Sequence, residues 1–312
     1  MRIKTILIMG IGGEIAQSIA TILNDSRPEV TLIGTDVRTD RHGGRLVVGS
    51  FFQIPRAGSN KYLESIKTLI KKHSVDVVIP TSEIELEALQ PLIDELGKDK
   101  FITAGERVVE IGNDKLKTID FIKSLDIPVP WTMSANGNMP ISFPCILKPQ
   151  RGAGSNNIVK LENVSETKFY TDKFPDSIFQ EFLEPDNREI TCAVYRSKSG
   201  KVAILQLLRE LTDGTTSWAT VIKDNKVLKM CEDIAIGLNL HGAINIQLRL
   251  TSLGPRVFEI NPRFSSTVLM RHRLGFCDLL WALDEAQGEN ISFSNISVNR
   301  QMVRVQNVEE LI

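Results

Sequence analysis

The stretch Gln247–Arg263, QLRLTSLGPRVFEINPR, decides the architecture of the C-terminal part of the chain. Its pattern predicts two antiparallel strands, Ile244–Thr251 and Arg256–Ile260, joined by a turn of sequence Ser-Leu-Gly-Pro. Arg263 lies just beyond the end of the second strand. Because paired strands hold each other in place, the hairpin is a platform on which functional side chains keep fixed positions.

The faces of this hairpin follow from strand geometry, in which successive side chains point to opposite sides of the sheet. Glu259 and Asn261 are therefore expected on one face, together with Gln247 of the partner strand. Phe258 and Ile260 are expected to pack behind them. Oxygen atoms on one rigid face suit Mg²⁺, whose shell is often completed by nucleotide phosphates. A polar face that only meets solvent is equally common in antiparallel sheets, so both interpretations stay open at this point.

The composition is that of an ordinary globular protein. The chain has 312 residues, of which 42% are hydrophobic and 24% charged, and its net charge is −1. This length allows two or three domains, and the charge balance does not favour a nucleic-acid-binding protein. The sequence contains no apolar run of membrane-spanning length and no secretory signal. The four cysteines form no Cys-x-x-Cys pair, which favours buried free thiols. We expect a cytoplasmic protein that binds neither nucleic acid nor membrane.

The N-terminal part of the chain alternates apolar runs with helical patterns. This arrangement is typical of an open, mainly parallel sheet covered by helices on both faces. The predicted strands are Thr5–Met9, Val30–Gly34, Val75–Pro80 and Lys100–Thr103, and the predicted helices include Glu14–Leu23 and Tyr62–Lys72.

Two features of this part could bind ligands. Gly10–Gly13 follows the first strand and Asp36 the second, as in dinucleotide-binding folds, but Ile15 replaces the third glycine of the fingerprint. Tight packing of helix on strand explains the glycines better. A nicotinamide-dependent oxidoreductase is an alternative that rests on this turn and Asp36 alone. Glu83 and Glu85 follow another strand, at the edge where such sheets bind ligands, although Glu85 is equally explained as part of a capping box.

The segment that follows is suited to phosphate binding. Lys115 precedes a predicted helix, Leu116–Leu125, whose start Asn113 or Asp114 can cap. Phe143–Pro149 is predicted to be a strand, and it contains Lys148, whose burial is costly unless a negative group compensates. A glycine-rich loop follows, and its free backbone N–H groups could cradle a phosphate. The alternative is that Lys148 reaches solvent from an edge strand beside an ordinary turn.

The remaining elements complete a second, antiparallel half. The predicted strands are Ser177–Leu183, Glu189–Tyr195, Lys201–Leu211 and Ser217–Ile222, and the predicted helices are Leu116–Leu125, Val227–Leu238, Thr267–Leu274 and Asp278–Gln287. The tail, Ile291–Val305, contains strand-like pieces that the sequence does not place.

Several of these stretches, taken in order, resemble the ATP-grasp superfamily. They are NDK (residues 113–115), IPVP (127–130), FPCILKPQRGAGS (143–155), QEFLEPDNREIT (180–191) and GAINIQLRL…PRVFEINPRFSS (242–266). The synthetase units of the carbamoyl phosphate synthase large chain, and smaller single-unit relatives, are the members most similar to them. The resemblance implies an ATP-grasp fold of mixed α/β and α+β class. It implies an N-terminal open parallel α/β domain over residues 1–112, a small lid over 113–183 and an antiparallel catalytic domain over 184–312.

The resemblance also implies roles for individual residues. Lys115 and Lys148 would contact nucleotide phosphates beneath the loop Gly152–Ser155, which includes Gly154. The residues that would line the adenine and ribose sites are Glu181, Phe182, Leu183 and Glu189. The residues that would bind Mg²⁺, or Mn²⁺ in its place, are Gln247, Glu259 and Asn261. Arg263 would act with Lys148 in catalysis by stabilising the transferred phosphoryl group. Candidates for contact with substrate are Glu83, Arg209, Arg271 and Arg273.

The implied activity is an ATP-dependent carboxylate–amine ligase with small-molecule substrates, and a homodimer is one expected assembly. Ser266 stands where carbamoyl phosphate synthase units usually carry a further basic residue, and the chain has a single unit. Both departures favour a carboxylate substrate over bicarbonate. An enzyme that forms carbamoyl phosphate or another acyl phosphate is the first alternative, and a non-catalytic nucleotide-binding module is the second.

Overall fold

A computed structural model describes residues 2–39, 41–152 and 157–305. Its first part is a four-stranded parallel sheet of strand order β3-β2-β1-β4, with helices on both faces. The elements of this part are β1 (Thr5–Met9), α1 (Glu14–Ser26), β2 (Thr31–Asp36), β3 (Ser50–Gln53), α2 (Tyr62–Lys72), β4 (Val77–Ile79), α3 (Glu83–Ala88) and α4 (Gln90–Leu96).

The glycine turn after β1 owes its residues to close packing. Gly10 has a φ of +64°, and a Cβ atom there would lie 2.9 Å from Thr81 Oγ1. The predicted parallel sheet is confirmed, with two differences. β3 was not predicted, and the predicted strand Lys100–Thr103 is reduced to a single bridge between Phe101 and Val78.

The second part is a four-stranded antiparallel sheet of order β5-β8-β6-β7. The two helices that precede it connect it to the first sheet. The elements are α5 (Glu106–Gly112), α6 (Lys115–Lys123), β5 (Thr132–Ser134), β6 (Cys145–Pro149), β7 (Val159–Leu161), α7 (Val164–Lys173) and β8 (Ser177–Glu181).

The third part is a six-stranded antiparallel sheet of order β13-β12-β9-β10-β11-β14. Its last strand comes from the tail that the sequence left unplaced, and it pairs with β11 through Trp218 and Val303. The elements are β9 (Glu189–Arg196), β10 (Val202–Thr212), β11 (Thr215–Ile222), α8 (Asn225–Gly237), β12 (Gly242–Thr251), β13 (Gly254–Asn261), α9 (Val268–Leu274), α10 (Asp278–Gln287) and β14 (Gln301–Val303).

The hairpin β12–β13 forms with one departure from the predicted alternation. Gln247 lies opposite Glu259, but Leu248 lies opposite Val257, so Phe258 is the extra residue of a β-bulge. Val257, rather than Phe258, therefore packs in the core with Ile260 behind the sheet. The prediction that Phe258 packs behind is wrong, because the bulge turns its side chain to the face of Glu259.

One large hydrophobic core joins the first and third sheets. It includes Ile6 and Ile19 from the first part with Leu207 and Phe276 from the third. The four cysteines are free thiols, three of them buried and Cys277 half-buried. Within residues 2–39, 41–152 and 157–305, helices are too short or too polar to cross a membrane.

Candidate active site

A cleft of about 940 Å³ lies between the three sheets and collects most of the predicted site residues. One end is formed by the carboxyl edge of the first sheet and the other by the second sheet, and the face of β12–β13 lies between them. The predicted residues that line it are Lys115, Lys148, Gly152, Glu181, Phe182, Leu183, Glu189, Arg209, Gln247, Glu259, Asn261 and Arg263. Gly154 and Ser155 lie outside the described residues.

The three predicted metal ligands lie on one face of the hairpin. Gln247 is directly opposite Glu259 across the strand pair, and Asn261 is opposite Asn245. Asn261 is 7% exposed and lines the cleft. One carboxylate and two amide oxygens at neighbouring positions form a hard oxygen donor set of the kind Mg²⁺ accepts.

Two lysines approach this face. Lys115 begins α6, where Asp114 caps the helix by accepting from two backbone N–H groups. Its Nζ donates to the carbonyl of Gly152 at 2.8 Å and lies 3.8 Å from Glu259 Oε1. Asp114 and its helix therefore hold the ammonium group between the glycine loop and the predicted metal ligand.

Lys148 is the more deeply buried of the two lysines. Burial lowers the pKa of its ammonium group to about 8, and Glu259 opposes this effect by favouring the charged form. The ring of Phe258 lies beneath it, 5.5 Å from Nζ. Within the ranges that the structure describes, no carboxylate forms an ion pair with Lys148. It is therefore a buried cation that an anionic ligand would stabilise.

The predicted adenine-binding residues line the far end of the cleft. The carboxylate of Glu181 is engaged through one oxygen: its Oε2 accepts from the backbone N–H of Trp131 at 3.1 Å and from Arg256 at 2.7 Å. Lys160 lies 4.4 Å above the ring of Phe182. The carbonyl of Leu183 accepts from Arg249 at 3.1 Å. Contacts of this segment with a base would therefore come from its backbone, from the Phe182 ring and from the other carboxylate oxygen of Glu181.

Glu189 is held between two arginines. Its Oε1 accepts from Arg209 Nε at 3.0 Å, and its Oε2 accepts from Arg249 at 2.7 Å. Arg209 also donates to the Thr216 hydroxyl at 3.3 Å. The trio carries one net positive charge and lines the cleft. Arg209 therefore reaches the cleft as predicted, but as the partner of Glu189.

Arg263 is paired with Glu83, which joins the third part of the fold to the first. Its Nε and one terminal nitrogen lie 2.7 and 2.6 Å from Glu83 Oε1. Its other terminal nitrogen donates to the carbonyl of Phe264 at 2.9 Å. Two residues proposed for different tasks are thus in direct contact.

Arg271 and Arg273 do not reach the cleft, so the hypothesis that either clamps the substrate is not supported. Arg271 is fully buried and pairs with Asp278 at 2.6 Å, because a charge inside a core requires a partner. Arg271 also donates to the Ser265 hydroxyl at 3.2 Å, in a buried hydrogen bond. Arg273 is exposed on α9.

The carboxylate of Asp36 is occupied by its own turn. Its Oδ2 accepts from the backbone N–H of Gly12 at 2.8 Å, and its Oδ1 accepts from that of Arg38 at 2.8 Å. In a dinucleotide site both the amide and the carboxylate would face the ligand. This geometry supports the packing explanation of the glycine turn.

Sequence reasoning missed three residues of the site. Arg249 lines the cleft two positions after Gln247, and strand alternation could have revealed it. Phe258 lines the cleft only because of the bulge. Asn245 is fully buried; it accepts from the Thr191 hydroxyl at 2.8 Å, while its Nδ2 has no partner in the described part of the chain. It supports the strand positions next to Gln247 and Asn261.

Comparison with known protein families identifies a match. The model of the "ATP-grasp domain" family matches residues 112–267, which is half of the chain. The matched segment contains the lysines, the glycine loop, the hairpin and Arg263.

Curated relatives are carbamoyl phosphate synthases. That of Methanobrevibacter smithii is 25% identical over 162 residues, covering 47% of this chain and 41% of the relative. The large chain of Helicobacter pylori is 26% identical over 237 residues, covering 66% of this chain and 21% of the relative. The chain thus spans less than half the length of either relative.

Solved structures share the fold over almost the whole chain. The N5-carboxyaminoimidazole synthetase of Staphylococcus aureus complexed with ADP has a TM-score of 0.76 at 17% identity, covering 96% of this chain and 80% of that one. The biotin carboxylase of Campylobacter jejuni, in an ATP-analogue complex, has a TM-score of 0.74 at 17% identity, covering 96% and 74%. The predicted fold class is confirmed.

Proposed function

Because the chain belongs to the ATP-grasp family, we propose that it is an ATP-dependent carboxylate–amine ligase. In this reaction the carboxylate attacks the γ-phosphorus of ATP to give an acyl phosphate and ADP. The amine then attacks the acyl carbon, forming a carbon–nitrogen bond and releasing phosphate. The observation that carries the proposal is that Lys115, Lys148 and the face bearing Glu259 meet in one cleft.

The donor set of the hairpin fits a magnesium ion. Gln247 and Glu259 are paired across the strands, and Asn261 extends the same face, so three oxygen donors stand on a rigid support. Magnesium usually takes only one or two protein carboxylates and completes its shell with phosphate oxygens and waters. When bound, it would withdraw charge from the phosphate oxygens. The single carboxylate, Glu259, is also balanced by Lys115 at 3.8 Å.

The lysines would carry out the rest of the phosphate recognition. Phosphoryl transfer needs alignment and charge neutralisation more than covalent help from the protein. Lys148 is buried and has a pKa of about 8, and a neighbouring phosphate would raise that pKa and favour the charged form. In a cleft from which water is excluded, each such donor contributes more than it would in bulk solvent.

The test is a Glu259→Gln variant. Losing the only carboxylate of the donor set should lower ATP turnover with Mg²⁺ by about 10²-fold or more, the scale expected for one essential electrostatic group. Release of phosphate during a screen of carboxylate and amine pairs is the measurement. Glu95→Gln, which removes a surface carboxylate paired with Lys67, is the matched control. Unchanged ATP binding and turnover in Glu259→Gln would reject the assignment.

The second candidate is an enzyme that forms carbamoyl phosphate or another acyl phosphate without a ligation step. The curated relatives are carbamoyl phosphate synthases, which favours it. Ser266, which lines the cleft, offers no charge to a bicarbonate-derived substrate and favours ligation instead. ATP turnover with bicarbonate alone would select the second candidate. Nucleotide binding without turnover on any substrate would select a non-catalytic binding module.

A further inference from the structure

The guanidinium of Arg263 is held by one carboxylate oxygen and one backbone carbonyl. Its Nε donates to Glu83 Oε1 at 2.7 Å, one terminal nitrogen lies 2.6 Å from the same oxygen, and the other donates to the Phe264 carbonyl at 2.9 Å. The two side chains are 11% and 12% exposed. A cation neutralised at this distance, in a site shielded from water, does little to stabilise negative charge that develops elsewhere.

This ion pair lies at the edge of the cleft and joins two of its walls. Glu83 is the first residue of α3, at the carboxyl edge of the first sheet, whereas Arg263 follows β13. Ser82 and Ile84, the neighbours of Glu83, line the cleft, as does Arg263 itself. The carboxylate of Glu83 is therefore held where a ligand entering from the first sheet would meet Arg263.

We propose, on the basis of the function proposed above, that the Glu83 carboxylate occupies on Arg263 the position of the acyl substrate's carboxylate. The substrate displaces Glu83, so the buried guanidinium of Arg263 is paired with a carboxylate in both states. A planar guanidinium binds either carboxylate with the same geometry. Glu83 is accordingly a positioning residue that makes ATP cleavage depend on the acyl substrate.

The consequence is that hydrolysis of ATP by water is suppressed while the acyl substrate is absent. Without the acyl substrate, water can attack the γ-phosphorus, breaking its bond to the ADP oxygen and giving ADP, phosphate and a proton. Arg263 neutralised by Glu83 does not assist this attack, whereas a substrate carboxylate on Arg263 is itself the group that attacks the γ-phosphorus. Removing Glu83 leaves Arg263 free to stabilise the phosphoryl group whether or not substrate is present.

The experiment measures ATP hydrolysis with Mg²⁺ and no acyl substrate, and ADP binding by calorimetry, on the full chain. Glu83→Ala should raise hydrolysis about tenfold, equivalent to about 1.4 kcal/mol. Glu83→Gln, which keeps a neutral acceptor, should give a smaller rise. Glu83→Ala combined with Arg263→Gln should return to the wild-type rate, because the rise requires the guanidinium. Glu95→Gln, which breaks a surface pair with Lys67, should change nothing.

The outcomes separate this inference from the proposed function. If ADP binds but hydrolysis in Glu83→Ala stays within about twofold of wild type, or falls, Glu83 does not restrain Arg263. A rise that persists in the double variant also overturns the proposal. If ADP does not bind to the folded wild-type chain, the nucleotide assignment itself fails. If Glu83→Ala does not fold, the test rests on Glu83→Gln, and ATP hydrolysis no faster than wild type in that variant overturns the proposal.

Discussion

At the scale of single residues, Lys148 is the group whose chemistry the fold changes most directly. It lies on β6 with its ammonium group almost fully enclosed. Desolvation lowers its pKa to about 8, with Lys115 and Arg249 adding repulsion and Glu259 and Glu189 giving partial compensation. In the free protein the pKa of this lysine therefore lies only a little above neutral pH, and a bound phosphate raises it.

This predicts that ADP binding weakens as the pH rises. Above a pKa of about 8 binding requires uptake of a proton, so the apparent Kd should increase about tenfold for each pH unit and be near constant below it. Calorimetry in buffers of different ionisation enthalpy measures both the affinity and the proton uptake. Lys148→Arg keeps its charge over this range and should remove the dependence. A wild-type affinity that stays flat between pH 7.5 and 9.5 (about the window in question) would contradict the assignment.

The placement of a site residue could be predicted from sequence where a local rule governs it, but the residues that it contacts could not. Glu259 and Asn261 were placed on one face by the alternation of a strand. Arg263 was found by its position after the hairpin. Its contact with Glu83 is a feature that no local pattern encodes, since the two residues lie far apart in the chain. The same holds for Glu189, whose two arginine partners come from other strands.

At the scale of elements, the bulge in β13 decides which side chains the hairpin offers. The extra residue, Phe258, turns its ring to the cleft, where it lies 5.5 Å from Lys148 Nζ and 5.9 Å from the guanidinium of Arg249. The face of an aromatic ring attracts cations. The bulge therefore supplies a neutral group that favours the charged form of Lys148 without competing with a phosphate.

Phe258→Leu should consequently shift the pH dependence of ADP binding. Loss of a cation–π contact worth about 0.5–1 kcal/mol lowers the pKa of Lys148 by roughly half a unit, and the midpoint of the binding curve moves to lower pH by the same amount. Phe169→Leu, which changes an exposed ring on α7, is the control. An unmoved midpoint in Phe258→Leu would mean that the ring only packs.

Elements were predictable from sequence where the signals for them lie inside the element. The helix Tyr62–Lys72 begins and ends as expected, and Asp114 caps α6, because periodicity and capping are local. The bulge and β3 could not be predicted in this way, because each is defined by its pairing with a neighbouring strand. β3 is short and only half-buried, so its hydrophobic pattern is weak, and its pairing with β2 defines it.

At the scale of the whole molecule, the residue that follows the last described strand joins the third part of the fold to the first. Arg304 follows β14, and its guanidinium donates to the carbonyls of Ser266 at 2.6 Å and Thr216 at 2.9 Å. It also forms an ion pair with Glu14, at the start of α1. Burial raises the pKa of the Glu14 carboxyl, and Arg304 opposes that effect. Arg304 thus stabilises the charged form of Glu14.

Arg304→Ala should therefore loosen the assembly of the first and third sheets. Losing two charge-assisted bonds and leaving Glu14 half-buried without its partner should lower the free energy of unfolding by about 1–3 kcal/mol, a range that allows for partial exposure of the pair. Urea denaturation measures this loss. Hydrogen exchange should quicken at the amides of Gln301–Val303, because β14 is an edge strand and Arg304 anchors the residues directly after it. Arg188→Ala, at an exposed position, is the control. Equal exchange at β14 in both variants would show that its pairing with β11 alone holds the strand.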